Sequence, residues 1–281
     1  MIICSKLADF ERAMCQLPKD CEIGFVPTMG ALHNGHVSLV KKALKRTKYV
    51  IVSIFVNPTQ FNNPMDLEKY PRTLEEDCNK LEQAGAYLVF APGTHEIYPD
   101  THSKQFDLGG LDKYGEGPSR PGHFNGVAQV VTRLFDIVKP TFAVFGQKDF
   151  QQLAIIKHLV QSLGYNTQIV TGNTVREKDG LAMSSRNMLL TKGQREAAPL
   201  IYKTLRKASA MAAQNLCSPN ELCKWVIEQI DSNPLLETEY AQILDGSSLI
   251  PATSWQGHKE LQLCVAVNAK PVRLIDNIKI K

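Results

Sequence analysis

Along the first 171 residues the apolar positions switch repeatedly between two periods. "EIGFVP" (22–27) reads as a short buried strand, and "VSLVKKALKRT" after it places Val37, Val40 and Leu44 on one helical face. "YVIVSIFVN" (49–57) is a near-continuous β-branched and aromatic run, the pattern of a parallel strand buried on both faces. A helical "TLEEDCNKLEQAG" with Gly85 as its stop precedes a strand "AYLVFAP". Residues 94–122, rich in Gly, Pro and polar residues, read as long loops. Helical "VAQVVTRLFDIV", strand "FAVFG" (142–146), helix "FQQLAIIKHLVQSLG" and strand "NTQIVT" (166–171) follow. Strand–helix–strand order repeated in this way implies an open parallel sheet covered by helices.

After residue 172 the pattern changes. "GNTVREKDGLAMSSRNMLL" has no clear period and reads as an ordered loop. Two helices are expected next: Thr191 with Gln194 makes a capping box for the first, and "SPNE" (218–221) makes another for the second, with proline at the first helical position. "EYAQILD", "LQLCVAV" and "VRLIDNI" suggest a small sheet. The expected organisation is an α/β domain at 1–173 and a smaller α+β domain at 174–281, with the 176–187 loop at the junction.

Composition narrows the function classes. A net charge of +4 suits an anionic substrate but does not call for nucleic acid, and "KKALKRTK" (41–48) reads as the solvated face of a helix. The seven cysteines are scattered with no Cys-x-x-Cys pair, which fits neither a disulfide framework nor a zinc ribbon and points to a reducing compartment. "MIICSKLADFERAM" lacks the pattern of a signal peptide, and "YVIVSIFV" is far too short to span a bilayer. A cytoplasmic protein without a membrane partner is expected.

The chemistry concentrates in "PTMGALHNGH" (27–36), at the end of the first of these parallel strands, where ligands of open α/β sheets bind. Gly30 and Gly35 permit close approach of backbone to a ligand, and Asn34 is the expected helix N-cap, placing His36 in the first turn. The unpaired N–H groups of that helix start, with two imidazoles beside them, would favour phosphate. "GALHNGHV" matches half of a P-loop, but His36-Val37 stands where Lys-Ser/Thr is required. A metal site would need a third ligand, for which His95, His102, His123, His158 and His258 are the histidine candidates. On this stretch alone, imidazoles that merely satisfy loop backbone remain an equal alternative.

Four further stretches change that balance. Pro27 to His36 together with "NPTQF" (57–61), "RPGHFNGV" (120–127), "GQKDFQQ" (146–152) and "REKDGLAMSSRN" (176–187) resembles the pantothenate synthetase family within the HxGH nucleotidyltransferase superfamily. The resemblance implies a Rossmann-like N-terminal domain, a smaller C-terminal domain and a homodimer. It implies condensation of pantoate with β-alanine through pantoyl adenylate, with Mg²⁺ accompanying ATP, and release of pyrophosphate and AMP. ATP would be bound by Met29, Gly30, Ala31, Leu32, His33, Asn34, Gly35 and His36, by Gly146, Gln147, Lys148 and Asp149, by Val175, and by Met183, Ser184, Ser185 and Arg186. His36 matches the proton donor, and His33, Lys148 and Arg186 join it as catalytic candidates. Gln60, Gln152 and Asn57 would hold pantoate and β-alanine. Glu116 matches an acid near the site that would orient a ligand or pair with Arg120. Gln147 stands where the family often has Glu. Ala182 and Ser185 replace the lysines of the related synthetase loop, leaving Arg186 as its cation. Glu76 and Asp77 could help place Mg²⁺, but adjacent acids on a helix usually face solvent, and no protein metal ligand is expected.

Overall fold

Six parallel strands form the first sheet: β1 (Ile2–Cys4), β2 (Gly24–Thr28), β3 (Val50–Ile54), β4 (Leu88–Phe90), β5 (Phe142–Gly146) and β6 (Gln168–Gly172). The computed structural model describes residues 1–62, 64–100 and 104–281. These divide into two compact units, the first made of Met1–Gly109, Arg120–Gln147 and Ile155–Asn173, the second of Gly110–Ser119, Lys148–Ala154 and Thr174–Lys281.

In the first unit the strand order is β1-β4-β3-β2-β5-β6. The chain steps outward from β2 through β3 to β4, then returns to lay β5 on the other side of β2. That reversal makes the carboxyl ends of β2 and β5 the place where a ligand crevice opens. Side chains alternate across the sheet. Phe25 of β2 meets Phe135 of α7 (His123–Val138), and Phe90 of β4 meets Phe10 of α1 (Leu7–Met14). Their neighbours Val26 and Val89 turn the other way and join Val40 of α2 (Asn34–Leu44) and Leu81 of α4 (Leu74–Ala84) in a buried cluster. Helices therefore cover both faces, and Val50, Ile51 and Val52 are wholly buried, as the unbroken apolar run requires. A Cβ on Gly172 of β6 would lie 2.1 Å from a terminal methyl of Leu39 of α2, which would have to turn aside. The edge strand β1 is not among the expected elements, because "IIC" is too short to show a period. α3 (Pro64–Lys69), α5 (Thr94–Ile97) and α6 (Glu116–Ser119) are short helices in stretches that read as loop or carry no assignment. α8 (Phe150–Ser162) contains the unit boundary after Ala154.

In the second unit, β7 (Glu237–Asp245), β8 (Leu261–Ala269) and β9 (Val272–Lys279) form an antiparallel sheet in that order. Leu263, Val265 and Val267 of β8 share a core with α10 (Pro199–Ala213) and α11 (Pro219–Asp231). Both expected capping boxes are formed, at Thr191 with Gln194 and at Ser218 with Glu221. The first expected helix is two, however. α9 (Lys192–Ala197) stops short of Pro199, whose missing N–H starts α10 instead. Among the described residues no helix is long and apolar enough to cross a membrane.

Candidate active site

The loop from β2 to α2 is shaped by its backbone. Gly30 has φ +81° and Ala31 has φ +49°, two successive left-handed residues. For an alanine that conformation costs about 1–2 kcal/mol. Asp77, on α4, offsets it: one carboxylate oxygen accepts the Ala31 N–H at 2.8 Å and the other accepts the Leu32 N–H at 2.7 Å. Asp77 is wholly buried, contrary to the solvent-facing expectation for adjacent acids, while Glu76 remains exposed beside Lys80. Asp77 lies four residues before Leu81 and next to Cys78, on the inward stripe of α4. That spacing is a signal for its burial.

The residue that caps α2 is His33, not Asn34. Its Nδ1 accepts the Gly35 N–H at 3.1 Å, and the Nδ1 of His36 accepts the His33 N–H at 3.3 Å. Imidazole nitrogens thus do at both ends of this capping box what Ser and Glu oxygens usually do. The consequence is electronic. An Nδ1 that accepts a hydrogen bond places the proton of a neutral imidazole on Nε2. The expected unpaired amides of Gly35 and His33 are thus committed to the rings. The two rings lie 4.1 Å apart, centroid to centroid.

Beyond β3, Asn57 caps a 3₁₀ turn (Pro58–Gln60) that Gln60 ends, and both are buried. Asn57 Nδ2 donates to Gln60 Oε1 and to the Gly126 carbonyl, each at 3.1 Å. Its Oδ1 accepts from Thr59 and from the Tyr98 hydroxyl. Burial raises the pKa of that Tyr98 hydroxyl, so it stays a donor. Asn57, expected to touch substrate, is committed within the protein and holds Gln60. Gln60 Nε2 points to the Met29 sulfur at 3.0 Å, and the Gln60 backbone carbonyl meets the His123 Nδ1 at 2.7 Å. Gly126 is required here, since a Cβ would lie 2.2 Å from the Thr59 carbonyl oxygen. Against the same loop lies a cleft of about 350 Å³ lined by Met29, Gly30, Phe55, Arg72 and Leu74.

Gly146 and Gln147 end β5 in the first unit; a Cβ on Gly146 would meet nothing within 4 Å, so backbone there is open to approach. Lys148, Asp149 and Gln152 belong to the second unit and are half-buried. The Lys148 carbonyl accepts the Asn277 side-chain amide at 2.8 Å, which ties it to β9. The preceding residue, Asp276, binds the Arg176 guanidinium at 2.6 and 2.9 Å. Arg176 also stacks 3.5 Å over the Tyr202 ring. From this anchor the chain makes a narrow hairpin, in which Met183 N–H donates to the Val175 carbonyl and Arg176 bridges Ala182. Ser184 accepts the Arg186 N–H, opening a second 3₁₀ turn (Ser185–Leu189). Val175, Met183, Ser184, Ser185 and Arg186 are thereby presented by one ordered segment, and Ser185 is buried within it.

Glu116, in the same unit, is paired with Arg273 through two bonds of 2.8 Å and accepts the Tyr240 hydroxyl at 2.7 Å. Burial and that carboxylate push the Tyr240 hydroxyl far above its ordinary pKa. Gln151 accepts the Glu116 N–H and donates to the Leu111 and Tyr114 carbonyls. Sequence pattern could not give Arg273, Tyr240, Asp276 or Asn277 these roles, because each pairs across more than ninety positions. His102 lies outside the described residues. Among the described residues no group of three or more His, Cys, Asp or Glu is placed to hold a metal ion.

The family model for pantoate-beta-alanine ligase matches residues 2–279. The chain belongs to the pantoate-beta-alanine ligase family. It is 49% identical over 280 residues to the pantothenate synthetase of Azobacteroides pseudotrichonymphae, covering 99% of each chain. With that of Flavobacterium psychrophilum it shares 46% over 284 residues, the whole of both. Among solved structures it is similar to pantothenate synthetase from Thermus thermophilus, with TM-score 0.92, 40% identity and coverage of 100% and 99%. The pantoate-beta-alanine ligase of Francisella tularensis, solved with β,γ-ATP and β-alanine, matches with TM-score 0.85 and 38% identity over 100% and 98% of the chains. The ligase family thus accounts for both units of this chain.

Proposed function

We propose that this pantoate-beta-alanine ligase works through a pantoyl adenylate and as a homodimer. A pantoate carboxylate oxygen attacks the α-phosphorus of Mg·ATP, and pyrophosphate leaves. The β-alanine amine then attacks the acyl carbonyl, a proton is lost from nitrogen, and AMP leaves. Activation is needed because a carboxylate has no adequate leaving group, whereas an acyl phosphate has. The first step brings an anion against a polyanion, so the site must supply donors aimed at phosphate oxygens. Mg²⁺ enters with the nucleotide, to whose phosphates it mainly binds.

The observation that carries this reading is the pair of histidines at the start of α2, each accepting a backbone N–H at Nδ1. In this reading their Nε2–H groups bind phosphate oxygens, and His36 protonates the departing pyrophosphate. Met29 to Gly35 and Gly146 to Asp149 line the nucleotide, Lys148 neutralises phosphate charge, and Val175 receives the adenine. Met183 to Arg186 take the phosphate chain, Arg186 through its two-pronged guanidinium. Gln60 and Gln152 hold pantoate and β-alanine by amides that impose no charge, with Asn57 holding Gln60.

The test is exchange of labelled pyrophosphate into ATP with pantoate present and β-alanine omitted. Pantoate-dependent exchange is expected. Silence in folded protein supplied with Mg²⁺, and no AMP on adding β-alanine, would end the reading.

A further inference from the structure

We propose that Asn277 of β9 is a positioning residue for Lys148, and through it for adenylate formation; this rests on the function proposed above. Asn277 is buried, and its Nδ2–H donates to the Lys148 carbonyl at 2.8 Å. α8 opens with the Leu153 N–H on the Asp149 carbonyl, so the Lys148 carbonyl stands one residue ahead of that bond, in the turn after β5. The Asn277 amide therefore fixes the peptide from which the Lys148 side chain starts. A lysine ammonium is a point charge on a flexible stem, so where the charge falls depends on how firmly the backbone beneath it is held.

Asn277 is itself held from behind. Its Oδ1 accepts from Nε2 of the buried Gln262 at 2.6 Å, on the neighbouring strand β8, which keeps the NH₂ group turned to Lys148. The preceding residue, Asp276, lies on the other side of the strand, as alternation requires, together with Leu274 and Ile278 of the second unit's core. From there it grips Arg176, at the base of the segment that carries Val175 and Met183 to Arg186. Two consecutive residues of β9 thus hold both stretches of the second unit that are proposed to bind ATP. The tie to Lys148 needs a side chain that donates to a carbonyl at one end while accepting at the other, and the Asn amide does both.

The test is a double-mutant cycle on pantoate-dependent pyrophosphate exchange, with the parent, Asn277→Ala, Lys148→Ala and the double variant. Asn277→Ala is expected to lower exchange at saturating substrates about 10- to 100-fold, the scale of a small misplacement. In the Lys148→Ala background the same change should cost less than about two-fold, since no ammonium remains to be positioned. No loss in the parent background, or an equal loss in both, would overturn the proposal, because an amide that serves only the sheet harms both alike. Binding of Mg·ATP by the same four proteins needs no pantoate, and Asn277→Ala should weaken it only where Lys148 is present. If the parent binds Mg·ATP but gives no exchange, the proposed function falls while this titration still decides the role of Asn277; a parent that binds no Mg·ATP overturns both. Should Asn277→Ala fail to fold, Gln262→Met frees the Asn277 amide to turn over. A smaller loss, again confined to proteins that keep Lys148, is then expected, and no loss, or equal loss in both backgrounds, would be decisive against the proposal.

Discussion

Two stretches of this chain are proposed to hold ATP, Met29–His36 in the first unit and Val175–Arg186 in the second, and they are held in different ways. The first is fixed at its own amides. Asp77 takes two of them, imidazoles take two more, and two successive residues stay left-handed as a result. The second is fixed at its base, where Arg176 sits between Asp276 and the Tyr202 ring, and again through Leu181, which is buried in the second unit's core; a narrow hairpin and a 3₁₀ turn link these ties. Met188, two residues past its end, is 66% exposed, although Leu181 and Ala182 within it are as buried as Ala31 and Leu32 in the first. Donors set at fixed angles suit an atom that must be met in the transition state.

The largest effect should come from the ring that completes the capping box and is proposed to react. Glutamine at the third helical position completes capping boxes, as Gln194 does here, so His36→Gln keeps an acceptor for the His33 N–H. It can offer hydrogen bonds but cannot transfer a proton. Pyrophosphate exchange should fall about 10²- to 10³-fold, while thermal unfolding stays close to the parent. Near-normal exchange would show that His36 serves the helix alone, and the contrast between the two stretches would lose its catalytic half.

The second stretch should fail differently. Arg176→Met leaves the carboxylate of Asp276, 4% exposed, without its cation. Breaking a fully buried pair costs about 3–5 kcal/mol. Arg176 keeps some solvent, and Asp276 retains the Asn277 N–H at 2.8 Å, so about 2 kcal/mol is expected by urea unfolding. The KM for ATP should rise while amide formation from supplied adenylate persists. A stability unchanged within error would mean that the hairpin is not anchored at its base.

Most of the fold follows from local pattern, and most of what supports the site does not. The parallel strands, α4 with its Gly85 stop and the two capping boxes each depend on residues within a few positions of one another. Asn34 is the expected cap because its short polar side chain is a usual one, yet the helix starts one residue earlier and the His33 ring caps it through the Gly35 amide. The amides of Ala31 and Leu32 find Asp77 more than forty positions away, and Lys148 finds Asn277 more than a hundred away. No periodicity encodes such pairs. The motif residues could be named because they carry chemistry, whereas their supports are ordinary residues whose importance comes from where the fold puts them.

The smallest effect concerns the second carboxylate that steadies a proposed phosphate segment. Asp179, at the turn of the hairpin, accepts the Leu181 N–H and pairs with Arg195, as Asp77 accepts amides in the first stretch, but its side chain is 40% exposed. Burial alone would push its carboxyl up, but the Arg195 guanidinium and the Leu181 amide outweigh that and hold it below 3.8. A depressed carboxylate contributes stability above its unfolded pKa and loses it as pH falls through the folded one. With solvent screening, Asp179→Asn should cost only a few tenths of a kcal/mol at pH 7. The gap between parent and variant in urea should close as the pH falls below 3.8. A large gap at neutral pH, or one that persists in acid, would mean that the outer end of the hairpin is held as firmly as the loop at Ala31, and the two stretches would no longer differ in how they are built.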